Sequence, residues 1–142
     1  MEFITVEQFK EQPIEVQKVF LEWWKPQSAD LFKYKLLFNV VDCLCGETIS
    51  PFNENYVVFK KDCIPLFTEG QLRKFIEDET NGVVKNTQWH IEDDEVSKRG
   101  YSIYLLRKNE YHVAHHYINL GEDLLQAYWK VACMIAKEEV DG

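Results

Sequence analysis

A chain of 142 residues, 46% hydrophobic and 28% charged, has enough apolar material for one globular domain spanning 1–142. Its formal charge of −8 opposes a nucleic-acid backbone or an anionic membrane surface and suits a basic protein partner. The first residues, MEFITVEQF, lack the basic and apolar regions of a leader, and no run approaches the roughly 18 apolar residues of a membrane helix, so a cytoplasmic protein is expected.

In chain order, Thr5 with Gln8 has the form of a capping box and predicts a helix start. Pro13 ends that turn or opens a second helix, whose stripe is Ile14, Val16, Val19, Phe20, Trp23 and Trp24, and Pro26 stops it. Leu36–Leu44 and Tyr56–Lys60 read as strands of a hairpin, with GETISPFNEN as a long loop. DCIPLFTEGQLRKFIED, at 62–78, reads as a strand end, a proline turn and a helix capped by Thr68 with Gln71, which Asn81 and Gly82 end.

Trp89–Ile91, Tyr101–Leu106 and Tyr111–Ile118 predict three further strands, the last two an antiparallel hairpin turning at Lys108 and Asn109. Asn119 with Glu122 predicts the start of a final helix running to about Lys137, with Leu124, Leu125, Tyr128, Val131, Ala132 and Ile135 as its apolar stripe. Trp129, Cys133 and Met134 widen that stripe beyond one face. Strands and helices segregate without βαβ alternation, so the predicted class is α+β: an antiparallel sheet of about five strands with three main helices on one face.

Three blocks, WWKPQSADLF at 23–32, IPLFTEGQLRKFIED at 64–78 and DLLQAYWKVACMIAKE at 123–138, resemble a family of small proteins of phages and prophages of Gram-positive bacteria. That family has a helix ending in a Trp-x-Pro segment, a Pro-Leu-(Leu/Phe)-Thr-x-Gly-Gln helix and a closing helix containing Trp. Ala29 stands where a glycine is commoner, and the segment 36–61 has no counterpart. The resemblance implies a phage context and brings no catalytic residue with it.

No phosphate loop, nucleophile elbow, dinucleotide fingerprint or complete metal signature occurs, so neither a catalytic residue nor a cofactor is assigned. Cys43, Cys45, Cys63 and Cys133 are irregularly spaced, which favours free, mostly buried thiols over a disulfide scaffold. One residue between Cys43 and Cys45 fits a zinc pair poorly, even with Cys63 across the hairpin as a third ligand. Of His90, His112, His115 and His116, the last three lie within five residues. On a strand His112 and His116 share a face at a separation of about 13 Å, while His115 faces the other way, so solvent-facing or ring-packed histidines are favoured over a metal site.

The acidic run Glu92, Asp93, Asp94 and Glu95 reads as a solvated loop, with Glu138, Glu139 and Asp141 adding acid at the end of the chain. Its sharper reading is a strip that imitates nucleic-acid phosphates in a Lys/Arg channel. Trp23 and Trp24 are neighbours about 100° apart around a helix, so core packing of one leaves the other as an interface anchor. A cluster exposed on the final helix would mark a homodimer or partner groove.

Three functional expectations follow. The first is a non-catalytic phage- or prophage-encoded binding protein that engages a host protein, such as a basic nucleic-acid-handling one of a defence system, through Glu92–Glu95, Trp24, Trp129 and Met134. The second is a nucleotide-signal binder with a pocket of Tyr104, Arg107, His115 and Tyr117. The third is a metal-dependent hydrolase using His90, His112 and Asp93.

Overall fold

The computed structural model describes residues 2–27, 29–34, 42–43, 63–90, 100–107 and 114–142, with the backbone alone for Asp42, Cys43, Asn86 and His90. The fold is α+β with antiparallel sheets. Contacts group the chain into two compact units, Phe3–Phe67 and Thr68–Gly142 with Met1–Glu2.

In the first unit, helix α1 (Val6–Glu11) starts at Thr5, whose side chain accepts from the Gln8 amide while the Gln8 side chain accepts from the Thr5 amide. Helix α2 (Ile14–Trp23) follows Pro13, which sits at its N-cap. The α2 stripe is buried at Val16 and Phe20. Strand β1 (Leu31–Tyr34) is central to a three-stranded antiparallel sheet, between β2 (Asp42–Cys43) and β3 (Cys63–Pro65). The rest of the predicted 36–44 and 56–60 hairpin lies outside the described residues. Phe67 is the hub of the aromatic core, with ring centroids 5.8 Å from Phe20, 5.8 Å from Trp23 and 6.5 Å from Trp24.

A tight turn connects α2 to β1. The Asp30 amide donates to the Gln27 carbonyl, and the Asp30 carboxylate accepts from the Gln27 amide and from the indole of Trp24. Ala29, the third residue of this turn, has φ 77°. Glycine takes that conformation without steric cost, whereas an L side chain meets its own carbonyl there.

In the second unit, helix α3 (Glu69–Thr80) carries the predicted capping box of Thr68 and Gln71 and ends at Asn81, which is left-handed at φ 49°. Strands β4 (Gly82–His90), β5 (Gly100–Arg107) and β6 (Ala114–Tyr117) form the second antiparallel sheet in that order. Helix α4 (Leu124–Asp141) packs on both α3 and β5. Contact on two sides widens its buried arc beyond a single stripe, which explains why Trp129 is buried with Leu125, Tyr128, Val131, Ala132 and Ile135.

Two sequence expectations change here. About five strands were expected in one sheet, and the described strands pair in two sheets of three. The outer edge of β4 is met by α3: the Val84 amide donates to Glu77 Oε2 at 3.1 Å, and Arg73 Nη2 donates to the Val84 carbonyl at 3.2 Å. At Val84, side chains thus satisfy the backbone groups that another strand would need. The final helix does not begin at Asn119 with Glu122. Asn119 is left-handed (φ 58°), Gly121 also has a positive φ (88°), the chain bends at Glu122, and Asp123 is the N-cap, accepting from the Gln126 amide. Before that bend, Leu120 and Gly121 bond to Tyr101, and Gly121 passes so near Gly100 that a β-carbon on Gly100 would lie 2.6 Å from the Gly121 carbonyl oxygen.

Ala29→Gly is expected to stabilise the protein by about 1 kcal/mol, the cost of a left-handed non-glycine residue less the extra entropy of an unfolded glycine. Denaturant titration checks it; an unchanged or lower midpoint would show that Ala29 is not strained.

Candidate functional site

The helix-facing side of the second sheet is set by a β-bulge. The β4 register pairs Val84 with Leu105 and then Asn86 with Tyr104, so Lys85 is an inserted residue that reverses the alternation. Gly82 and Val84 before the bulge, and Thr87 and Trp89 after it, therefore share the face of Tyr101, Ile103, Leu105 and Arg107. The Thr87 hydroxyl lies 2.9 Å from the Tyr128 hydroxyl of α4, which fixes this face as the one under the helix. At its outer end Trp89 and Tyr101 make an edge-to-face pair at 5.1 Å, with Trp89 43% exposed.

Strand alternation divides the four residues expected to form a ligand pocket. Tyr104 lies opposite His116 in the register, and their rings pack at 5.3 Å on the face away from α4. His115 lies opposite Leu105 and Tyr117 opposite Ile103, on the helix side with Arg107. Tyr104 therefore cannot share a pocket with the other three. Tyr104 and Arg107 are three apart, and odd and even positions of one strand point to opposite faces.

Arg107 and Tyr117 do come together. Arg107 Nη2 donates to Glu138 Oε2 at 3.0 Å and to the Tyr117 hydroxyl at 3.5 Å, tying the end of β5 to the last turns of α4. The Arg107 side chain is 18% exposed and that of Glu138 54%. Arg107 Nε is buried and has no hydrogen-bond partner among the described residues. Burial alone would lower the pKa of Arg107, but the bonds to Glu138 and Tyr117 outweigh it and hold the guanidinium above its ordinary value. Sequence reasoning treated Glu138 as one of several solvent acids. The missed signal was Arg107 itself, a cation closing an otherwise apolar strand run and so needing a counter-ion.

The expected partner-binding residues separate in a similar way. Trp24 is 1% exposed and Trp129 5% exposed, so both are core side chains, whereas Met134 is 46% exposed on the outer side of α4. The reason for Trp24 is the turn at Asp30, which takes its indole N–H and lets the ring be buried without an orphaned donor. Glu92, Asp93, Asp94 and Glu95 lie outside the described residues.

Cys63 is buried. The register puts Cys43 opposite Leu31 and Cys63 opposite Tyr34, on either side of β1, so the two α-carbons are separated by two strand spacings, about 9.5 Å, and by three residues along β1. Cys45, His112 and Asp93 lie outside the described residues. Among the described residues, no three of His, Cys, Asp and Glu gather where an ion could sit, and no helix is long and apolar enough to cross a membrane.

Among the described residues, the fold is that of a small α+β protein with two three-stranded antiparallel sheets and a half-buried arginine tie at the end of its last helix. Comparison with protein-family models, with curated proteins and with solved structures gives no match.

Burial pushes the Cys133 thiol up to about 12. The folded chain then keeps a proton that an unfolded cysteine releases near its ordinary value of about 8.5, so this group weakens the fold as pH rises from that value towards 12. Alkylation of native protein at pH 8, read by peptide mass mapping, should modify Cys133 at least about a hundredfold more slowly than in the unfolded chain. Equal rates would contradict the partial burial of Cys133.

Proposed function

We propose that this protein is a non-catalytic binding protein of phage or prophage origin that acts in the bacterial cytoplasm by engaging a basic host protein. The observation that carries the reading is the combination of a net charge of −8 with large apolar side chains left exposed on the second unit, Trp89, Tyr104, Ile118 and Met134. Acidic surface steers a basic partner by long-range attraction, while exposed apolar and aromatic groups give the contact its energy once they are desolvated. Phage origin rests on the resemblance of the 23–32, 64–78 and 123–138 blocks.

A nucleic-acid-handling protein is the partner class that this chemistry fits, because its Lys/Arg channel recognises spaced negative charge. Glu92, Asp93, Asp94 and Glu95 are the residues assigned to that role, and inhibition of a nucleic-acid-based defence system is the proposed consequence. Met134 supplies an apolar contact on α4.

The test uses purified protein immobilised against lysate of a defended bacterial host, together with phage yield in that host with and without the gene. A basic protein should be retained, released as salt is raised, and lost when Glu92, Asp93, Asp94 and Glu95 are changed to Gln and Asn or when Met134 is changed to Glu. Phage yield should rise when the gene is present. Unaltered yield with no salt-sensitive partner would reject the reading.

A further inference from the structure

The tie between Arg107 and Glu138 is incomplete in a way that the other described side chains of the second unit are not. Arg107 Nε is a buried donor without a hydrogen-bond partner among the described residues. A buried N–H left unmet is unfavourable and needs an explanation. The adjacent Nη2 meets one oxygen of Glu138 at 3.0 Å and lies 3.5 Å from the Tyr117 hydroxyl. In a guanidinium, Nε–H and the neighbouring Nη–H form a planar fork whose spacing matches two oxygens of a carboxylate or phosphate. Half of that fork is used here by a single oxygen.

The two members of the tie are unequally held. Arg107 projects from a strand and is 18% exposed, whereas Glu138 stands on the last turns of α4 and is 54% exposed. An exchange at this site would therefore displace Glu138 and keep Arg107. The Tyr117 hydroxyl, an acceptor towards Arg107 now, can turn its proton to an arriving oxygen.

We propose that Arg107 and Tyr117 form an oxyanion site, for the carboxylate or phosphate group of a small ligand, in which Glu138 is an internal occupant. An entering oxyanion takes both Nε–H and Nη2–H and frees Glu138, which loosens the end of α4. The coupling links anion binding to release of the segment Lys137–Asp141, whose side chains are exposed. This proposal does not depend on the host-partner reading.

Chemical rescue tests it. In Glu138→Ala the internal anion is gone, and the thermal midpoint is followed with sodium formate, acetate and phosphate against sodium chloride at equal ionic strength. Formate or phosphate at millimolar concentration should raise the midpoint by about 2 °C or more over the chloride control. Rescue by carboxylates alone assigns a planar ligand group, and rescue by phosphate as well assigns a general oxyanion site. The double variant Arg107→Lys, Glu138→Ala should not respond. If it fails to fold, Tyr117→Phe with Glu138→Ala replaces it, with a reduced response expected.

In the wild-type chain, the Arg107 Nε–H resonance should shift on adding phosphate or formate, and the amides of Lys137–Asp141 should exchange faster. The proposal is overturned if no anion exceeds chloride in Glu138→Ala, if the Arg107→Lys double variant is rescued equally, or if the wild-type Arg107 resonance does not move, which would mean that Glu138 itself turns to fill the fork.

Discussion

The second unit depends on how the backbone of Val84 is held. Its N–H and C=O are taken by Glu77 and Arg73 of α3, an acid and a base four residues apart that also approach each other at 3.6 Å. As a surface ion pair, Arg73–Glu77 would contribute little. Bonded to a strand backbone it does two other things: it satisfies the outward N–H and C=O of Val84 and fixes α3 against that strand. The bulge at Lys85 follows at once and reverses the alternation, so that Thr87 and Trp89 join Val84 on the side of α4. Without that inserted residue Thr87 would face away from Tyr128, and the sheet would offer α4 a polar patch.

Packing in the first unit depends in a similar way on Phe67. Its ring meets Phe20, Trp23 and Trp24, which brings the Trp-x-Pro block and the Pro-Leu-Phe-Thr block of the sequence into one aromatic core. The next residue, Thr68, caps α3 in the other unit. These conspicuous blocks are thus architectural. Aromatic rings supply large buried areas in a short chain, and the caps set where each helix begins. Outside that aromatic core, Met134 and Trp89 are left exposed, and Arg107 is tied to Glu138.

The legible parts of the sequence were those whose signal is local. The Thr5–Gln8 and Thr68–Gln71 boxes, and the stop at Asn81, satisfy backbone groups within a few residues, and the sequence shows both partners together. Asn119 misled because asparagine serves equally as a cap or as a left-handed turn residue, and the approach of Gly121 to Gly100 decided for the turn. Most of β4 was missed because its bulge destroys period-two alternation and because Lys85, Asn86, Thr87 and Gln88 are polar. Of the residues that the sequence groups as a ligand pocket, Arg107 and Tyr117 come together, Tyr104 lies on the other face of the sheet, and Glu138 leaves no local signal, since 31 residues separate it from its partner. Clamps such as Arg73 and Glu77 on Val84 leave no trace in sequence beyond an ordinary helical ion pair.

Hydrogen exchange at the Val84 amide tests most directly whether α3 closes the sheet. Held by the Glu77 carboxylate, that amide should be protected in the native state at the level of the β4–β5 ladder, and Glu77→Ala should remove most of the protection without unfolding α3. Exchange of the wild-type amide at the rate of an exposed edge strand would contradict the clamp of α3 on β4.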